Sequence, residues 1–110
     1  MICSQYDVVE VPFPFVDTPA ITKKRKALVI SKYDFNIQNS ATILCMITSA
    51  TNSKWFGDIP IKQLEEAGLR KSCVMRFKIF TLDNSLILNI CGKLSKIDQE
   101  NYENMKNKFI

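Results

Sequence analysis

The first hydrophobic pattern in this chain has a period of two and predicts a β-strand. Between Val8 and Phe15 the odd positions are all apolar, and the even positions carry Glu10, Pro12 and Pro14. Such alternation is typical of a strand with one buried face. Because proline cannot donate to a sheet ladder, we expect an edge strand or one that bends out at Pro12. We place Phe13 and Phe15 in the core, with Val9 and Val11.

Continuous apolar runs mark the next strands. Residues 27–31 (ALVIS) and 42–48 (TILCMIT) have strand length and are the best candidates for the centre of a sheet. A short extended piece at 59–61 and a strand at 73–80 follow. Turns are expected at 17–19 and 82–84, with a loop tip at the basic stretch between the first two strands.

Helix signals are fewer. Residues 62–67 read as a short helix that stops at Gly68. Ser95, with Asp98 three residues later, predicts the start of a final helix. On that helix one apolar face is expected to hold Ile97, Tyr102, Met105 and Phe109. Several short strands with peripheral helices predict a mainly β, α+β fold, a small SH3-like barrel, forming a single domain over residues 1–110.

Composition narrows the class of protein. The 110 residues are 46% hydrophobic and 24% charged, which is ordinary for a globular chain and argues against disorder. No apolar run reaches the roughly 18 residues of a membrane span. No basic residue precedes Lys23, so no secretory leader is indicated, and we expect a cytoplasmic protein without membrane contact. The absence of histidine removes the commonest general base and metal ligand.

Cysteine spacing predicts no metal or redox motif. The four cysteines, at 3, 45, 73 and 91, lie too far apart for CxxC patterns, and we expect neither a metal site nor a disulfide framework. Cys45 and Cys91 sit in apolar surroundings and read as small core residues.

Basic residues are clustered within a net charge of only +4. Five of the fifteen lie between Lys23 and Lys32, and a second group comprises Arg70, Lys71, Arg76 and Lys78. Such clusters can bind phosphate groups, although a solvated loop is the simpler interpretation of a single charge run. Sequence alone does not place the two clusters together.

Six short motifs, in order over residues 6 to about 95, resemble the MazF/PemK/Kid toxin family. The opening segment is similar to its D-V-V-x-V-P-F-P-F strand, and the basic run to its K-x-R-P-A-L-V segment. The six are Tyr6–Asp17, Lys23–Ser31, Ile47–Ser49 (ITS), Ala67–Ser72 (AGLRKS), Lys78–Asp83 (KIFTLD) and Gly92–Ser95 (GKLS).

The resemblance implies a barrel of the MazF/PemK/CcdB toxin type that forms a homodimer. It also implies a metal-independent, sequence-selective endoribonuclease of a type II toxin–antitoxin system, without a cofactor. Its partners would be single-stranded RNA and a cognate antitoxin protein. The ribose 2′-OH would attack the adjacent phosphate, which leaves a 2′,3′-cyclic phosphate and a 5′-OH.

Residue by residue, the resemblance assigns catalysis to Arg25 and Thr48. Arg25 could otherwise be one more surface charge, and Thr48 a strand-end residue whose hydroxyl binds the backbone. The RNA-binding residues implied are Lys24, Lys26, Ser49, Arg76 and Lys78. Phe13 and Phe15 are expected in the core rather than as base-stacking platforms, and Trp55 is expected to be buried rather than to contact a base.

Two departures from the family pattern keep a second function open. Lys26 replaces the proline that usually follows the arginine. In Met75-Arg76-Phe77-Lys78, phenylalanine occupies the position of a catalytic aspartate found in some members, and no carboxylate replaces it within the segment. The alternative is a protein of this fold that binds a protein partner without cutting RNA, either gyrase-targeting or catalytically degenerate.

Overall fold

The computed structural model describes residues 1–14, 23–52 and 54–110, which form a curled antiparallel sheet with helices around it. In the sheet the strands follow the order β4-β5-β3-β2-β1-β6. This arrangement confirms the mainly β prediction. The strands are β1 (Asp7–Phe13), β2 (Lys23–Val29), β3 (Ala41–Ser49), β4 (Ile59–Pro60), β5 (Cys73–Asp83) and β6 (Asn89–Lys93); the α-helices are α1 (Tyr33–Asn39) and α2 (Lys96–Phe109).

Both faces of the sheet are buried at its centre. Val8 points into one core and Val9 into the other, because successive side chains of a strand point to opposite faces. We call the first the helix-side core, since Tyr102 of α2 packs in it, and the second the N-terminal core, since it includes Cys3. Buried in the helix-side core are Val8, Leu28, Cys45, Ile47, Ile59, Ile61, Ala67, Leu69, Met75, Leu94 and Tyr102. Buried in the N-terminal core are Cys3, Val9, Val11, Ala27, Val29, Leu44, Leu82 and Ile87.

The expectations for β1 are wrong in three respects. The strand lies between β2 and β6 rather than at an edge, and it is buried on both faces. Pairing with β6 ends at Glu10, so Pro12, which has no backbone N–H, is not required to donate a hydrogen bond to β6. Phe13 is 45% exposed instead of being in the core. Phe15 and the turn expected at 17–19 lie outside the described residues.

Local structure departs from the sequence expectations at three further segments. The basic run from Lys23 to Lys26 belongs to β2 and is not a loop tip. Residues 62–67 form no helix; a bend at 62 is followed by turns from 64 onwards, although Gly68 does adopt a left-handed φ of 71° as expected of a stop signal. Helix α1 was not anticipated; its buried Asn36 donates to the Cys3 carbonyl at 2.9 Å and thereby ties the N-terminus to the sheet.

Helix α2 begins as predicted. The Ser95 side chain accepts a hydrogen bond from the Asp98 backbone N–H, so Ser95 is the N-cap. Tyr102 is buried, but Ile97 is 49% exposed and does not share its face.

All four cysteines are free thiols. Cys45 is fully buried as expected, and burial raises its pKa to about 12. Cys91 is only half-buried, which corrects its placement in the core; its Sγ lies 3.3 Å from the Lys26 Nζ.

Candidate functional site

Arg25 and Thr48 line one pocket because β2 and β3 run antiparallel, so that the start of β2 lies beside the end of β3. The strands pair Lys26 with Ile47, and Arg25 and Thr48 are the next residues outward on each. The cavity, of about 390 Å³, is here called the Arg25 pocket. It is lined by Lys24, Arg25, Lys26, Ile47, Thr48, Ser49, Lys71 and Cys73.

Arg25 and Lys26 of this pocket differ in their ion pairs and hydrogen bonds within the protein. Arg25 is exposed, and it makes neither an ion pair nor a hydrogen bond with another described side chain. Lys26 instead lies 3.1 Å from the Glu10 carboxylate, its register partner across β1. Burial alone would lower the pKa of Lys26, but hydrogen bonds to Cys91 and Glu10 outweigh that effect and raise it. Of these two cations, Arg25 is the one that has its full charge available to an anion.

Hydroxyl groups stand beside the guanidinium. Thr48 is half-buried, and its hydroxyl makes no hydrogen bond within the described part of the chain, so the backbone-bound alternative is not what the structure shows. The Ser49 Oγ lies 2.9 Å from the Thr51 Oγ1. A free hydroxyl next to an unneutralised arginine is suited to binding a phosphate oxygen.

Lys71 joins the two basic clusters. It lies in the second cluster of the sequence but lines the pocket of the first. The sequence does not reveal Lys71 as part of the site, because no local pattern shows that the segment before β5 returns to the start of β2.

A second cavity adjoins the first across Thr48. We call it the Phe13 pocket; its volume is about 280 Å³. It holds the other two predicted RNA-binding residues, Arg76 and Lys78. Its lining comprises Phe13, Met46, Thr48, Arg76, Lys78, Ile79 and Phe80.

Asp58 supplies Arg76 with a carboxylate that the local sequence lacks. The guanidinium donates to Asp58 from Nε at 3.1 Å and from its terminal nitrogen at 2.8 Å. These bonds raise the pKa of Arg76. The carboxylate comes from 18 positions earlier in the chain, which is why inspection of residues 75–78 did not find it. Phe77, at the position expected for aspartate, packs against Tyr102 and Phe109 with ring centroids 5.7 and 6.0 Å away.

Trp55 is not buried, contrary to expectation. Its ring is 45% exposed. The Arg76 guanidinium and the Lys78 ammonium lie 5.6 and 5.4 Å from the ring centroid. Cation–π contacts of this kind hold the two cations beside the Phe13 pocket.

Within the described ranges, no group of three His, Cys, Asp or Glu side chains is placed to hold a metal ion. The helices of those ranges are too short or too polar to cross a membrane.

Similarity to known proteins agrees with this architecture. The family model described as PemK-like, MazF-like toxin of type II toxin–antitoxin system matches residues 4–110. MazF from Deinococcus radiodurans has a TM-score of 0.74 at 14% identity, over 98% of this chain and 96% of that one. A mycobacterial endoribonuclease in complex with its cognate antitoxin has a TM-score of 0.73 at 9% identity, over 97% and 91%. The MazE–MazF complex of D. radiodurans gives 0.69 at 17% identity, over 98% and 96%. No curated protein sequence shows significant similarity to the chain.

Proposed function

Because the chain belongs to the PemK-like, MazF-like toxins of type II toxin–antitoxin systems, we propose that it is an endoribonuclease that cleaves single-stranded RNA without a metal ion. The observation that supports this most directly is the Arg25 pocket, where the Arg25 guanidinium and the Thr48 hydroxyl lie together and neither is engaged by another described side chain. Histidine is not needed for phosphate activation of this kind, since arginine supplies both charge and a planar set of donors.

In the proposed reaction the ribose 2′-oxygen forms a bond to phosphorus while the bond to the 5′-oxygen breaks. The 2′-OH loses its proton and the leaving 5′-oxygen gains one, so the products are a 2′,3′-cyclic phosphate and a 5′-OH. The Arg25 guanidinium stabilises the negative charge that develops on the phosphate oxygens. The Thr48 hydroxyl donates to the same phosphate.

Neighbouring phosphates would be bound by the other polar groups of the two pockets. Lys24 and Lys71 are exposed in the Arg25 pocket, and Ser49 adds a hydroxyl. Lys26 is engaged by Glu10, so its contribution requires RNA to compete with that ion pair. Arg76 and Lys78 extend the positive surface beyond Thr48.

The proposal includes a cognate antitoxin protein and a homodimer. Two of the similar structures are described as complexes of such a toxin with its antitoxin, which supports a partner of that kind here. We propose that the antitoxin silences the enzyme by covering the Arg25 pocket.

The test is cleavage of a long mixed-sequence RNA in EDTA, with the 5′ ends of the fragments mapped. The wild-type protein should give discrete cuts with 5′-OH ends. Removal of one charge-stabilising donor costs on the order of 100-fold in rate, so Arg25→Ala should lower cleavage by about that factor. Thr48→Val, which removes the hydroxyl, should also lower cleavage. Thr48→Ser, which keeps the hydroxyl, should cleave RNA at close to the wild-type rate. The control is Lys108→Ala, which removes an exposed cation from the last turn of α2.

Unchanged cleavage by Arg25→Ala would contradict the mechanism but not the family. RNA left intact by a folded wild-type protein would favour the alternative, a toxin-fold protein that binds a protein partner without cutting RNA. Two observations speak for that alternative: Asp58 already pairs with Arg76, and Phe77 is packed away from both pockets. Retention of a large protein partner, with no cleavage at any enzyme concentration, would establish it.

A further inference from the structure

Cys91 is the extra residue of a β-bulge in β6. The register of β1 against β6 shifts between Val8 and Val9, where one step along β1 matches two steps along β6. A bulge of this kind interrupts the regular alternation of a strand and re-aims the side chain of the extra residue. The Cys91 Sγ accepts a hydrogen bond from the Lys26 Nζ at 3.3 Å. The bulge thus presents a thiol to an ammonium group.

This thiol lines a cavity of about 620 Å³, here called the Cys91 pocket. Three cations line the cavity as well, namely Lys26, Arg70 and Lys71. Among the described lining residues the one carboxylate is that of Glu10, which lies 3.1 Å from the Lys26 Nζ. Arg70 and Lys71 are exposed. The pocket therefore carries a net positive charge and is suited to a small anionic molecule.

Cys91 differs from the other three thiols because it is both partly exposed and bound by an ammonium group. Cys3 and Cys45 are fully buried, and burial raises their pKa values to about 11 and about 12. Cys73 is half-buried in the same pocket, and burial raises its pKa although two neighbouring lysines act against this. The thiolate is the nucleophile, and reactive cysteines are partly exposed and lie beside cations. This description fits Cys91 best.

We propose that Cys91 is a modification site, where it forms a mixed disulfide with a small disulfide that carries carboxylates. The thiol loses its proton to solvent, and its sulfur forms a bond to one sulfur of the reagent while the S–S bond of the reagent breaks. The other sulfur leaves as a thiolate and takes up a proton. Cys91 is thereby oxidised and one half of the reagent is reduced. Arg70 and Lys71 bind the carboxylates of the half that stays attached.

The Cys91 pocket adjoins the Arg25 pocket, because Lys26, Lys71 and Cys73 line both cavities. An anionic group attached to Cys91 lies beside two cations, Lys26 and Lys71, that the proposed function assigns to RNA binding. The mixed disulfide should therefore weaken RNA binding, and its reduction should restore it. This consequence rests on the proposed ribonuclease function, whereas the modification itself does not.

The first experiment measures the mass of the folded protein after incubation with glutathione disulfide and maps the modified peptide. We expect one adduct, on Cys91, which dithiothreitol removes. Cys91→Ser should abolish the adduct, and Cys73→Ser, the matched control from the same pocket, should keep it. Lys26→Gln removes the ammonium group beside the sulfur and should slow the reaction by about tenfold. Cystamine, a disulfide with amines in place of carboxylates, should react more slowly than glutathione disulfide.

The second experiment measures binding of a non-cleavable RNA, which carries a 2′-deoxyribose at the cut site. Loss of one hydrogen bond to a charged group costs about tenfold in affinity, so the modified protein should bind this RNA about tenfold more weakly. Treatment with dithiothreitol should restore the affinity. Cys91→Ser incubated with glutathione disulfide in the same way should bind the RNA as the untreated variant does.

The modification site is overturned if the folded protein forms no adduct, if Cys73 reacts in preference to Cys91, or if cystamine reacts as fast as glutathione disulfide. An adduct on Cys91 with unchanged RNA binding would overturn the consequence for RNA, and the ribonuclease assignment would stand. If the unmodified protein binds no RNA, the proposed function falls and the consequence falls with it, while the mass measurement still decides the modification site.

Discussion

At the scale of single residues, hydrogen bonding decides which charged groups are available for binding. Lys26 and Arg76 are both basic residues of the predicted site, yet each is bound by a carboxylate, from Glu10 and Asp58 respectively. Arg25 is not. Substituting Arg25 should therefore change the binding of an anionic ligand with little effect on the fold, whereas substituting Arg76 also removes one ion pair of the nearly buried Asp58 carboxylate.

A pH-dependent contribution to the stability of the fold is expected from Tyr6 and Glu103, which join the residue before β1 to α2. The Tyr6 hydroxyl donates to the Glu103 carboxylate. Burial by itself would raise the pKa of Glu103, but bonds from Tyr6 and Lys106 lower it below the ordinary 4.5. A lowered pKa means that the stabilisation is complete above about pH 4.5 and is lost as the pH falls through the folded-state pKa.

Tyr6→Phe should therefore destabilise the protein by about 1 kcal/mol at pH 7 and by much less at pH 3. Urea unfolding at the two pH values measures the difference. Tyr33→Phe, which alters an exposed tyrosine of α1, is the control. An equal loss at both pH values would show that Glu103 ionisation plays no part.

At the scale of elements, the start of α2 is joined to a distant segment by one carboxylate. Asp98 is fully buried, and its two oxygens accept the backbone N–H groups of Lys62 and Gln63 at 2.8 and 2.9 Å. The Ser95 hydroxyl donates to it as well, at 3.2 Å. Asp98 thus fixes the turns that precede Gly68 against the helix, in addition to its place in the N-terminal turn.

Asp98→Ala would leave two backbone donors without a partner, and we expect a loss of about 3 kcal/mol in the free energy of unfolding. Asp98→Asn keeps one acceptor oxygen and should lose roughly half as much. Hydrogen exchange of the Lys62 and Gln63 amides should accelerate in the alanine variant. Asp34→Ala, an exposed acidic residue in the first turn of α1, is the matched control; unchanged exchange at 62 and 63 would contradict the anchoring role.

At the scale of the whole molecule, the fold concentrates positive charge that the sequence distributes over two segments. The net charge is only +4, but Lys24, Arg25 and Lys71 meet in one pocket. Binding of single-stranded RNA to such a surface releases counterions. The slope of log affinity against log salt concentration therefore reports how many phosphates the surface contacts.

Lys71→Ala should therefore weaken binding of a non-cleavable RNA and reduce the slope of log affinity against log salt by about 0.7. The non-cleavable ligand carries a 2′-deoxyribose at the cut site, so that binding is measured apart from cleavage. Lys108→Ala should leave the slope unchanged. A Lys71→Ala slope equal to that of the wild type would place Lys71 outside the RNA path.

Local patterns in the sequence were sufficient for the elements whose signals are local. The apolar runs of β2, β3 and β5, the Ser95 cap of α2 and the left-handed Gly68 were predicted correctly, because periodicity, capping and glycine conformation each act over a few residues. The ordered motifs also identified the family, which the match over residues 4–110 confirms.

Only the tertiary structure decided the exposure of Phe13 and Trp55 and the partners of Arg76 and Asp98. Burial depends on what covers a strand, and pairing with β6 ends at Glu10, so the regular alternation along β1 could not reveal that Phe13 is 45% exposed. The ion pair of Arg76 with Asp58 and its cation–π contact with Trp55 join residues 18 and 21 positions apart, and no spacing rule encodes them. The sequence by itself therefore determined the apolar runs of β2, β3 and β5, the start of the final helix and the family, whereas the composition of the two pockets was decided by how the strands meet in space.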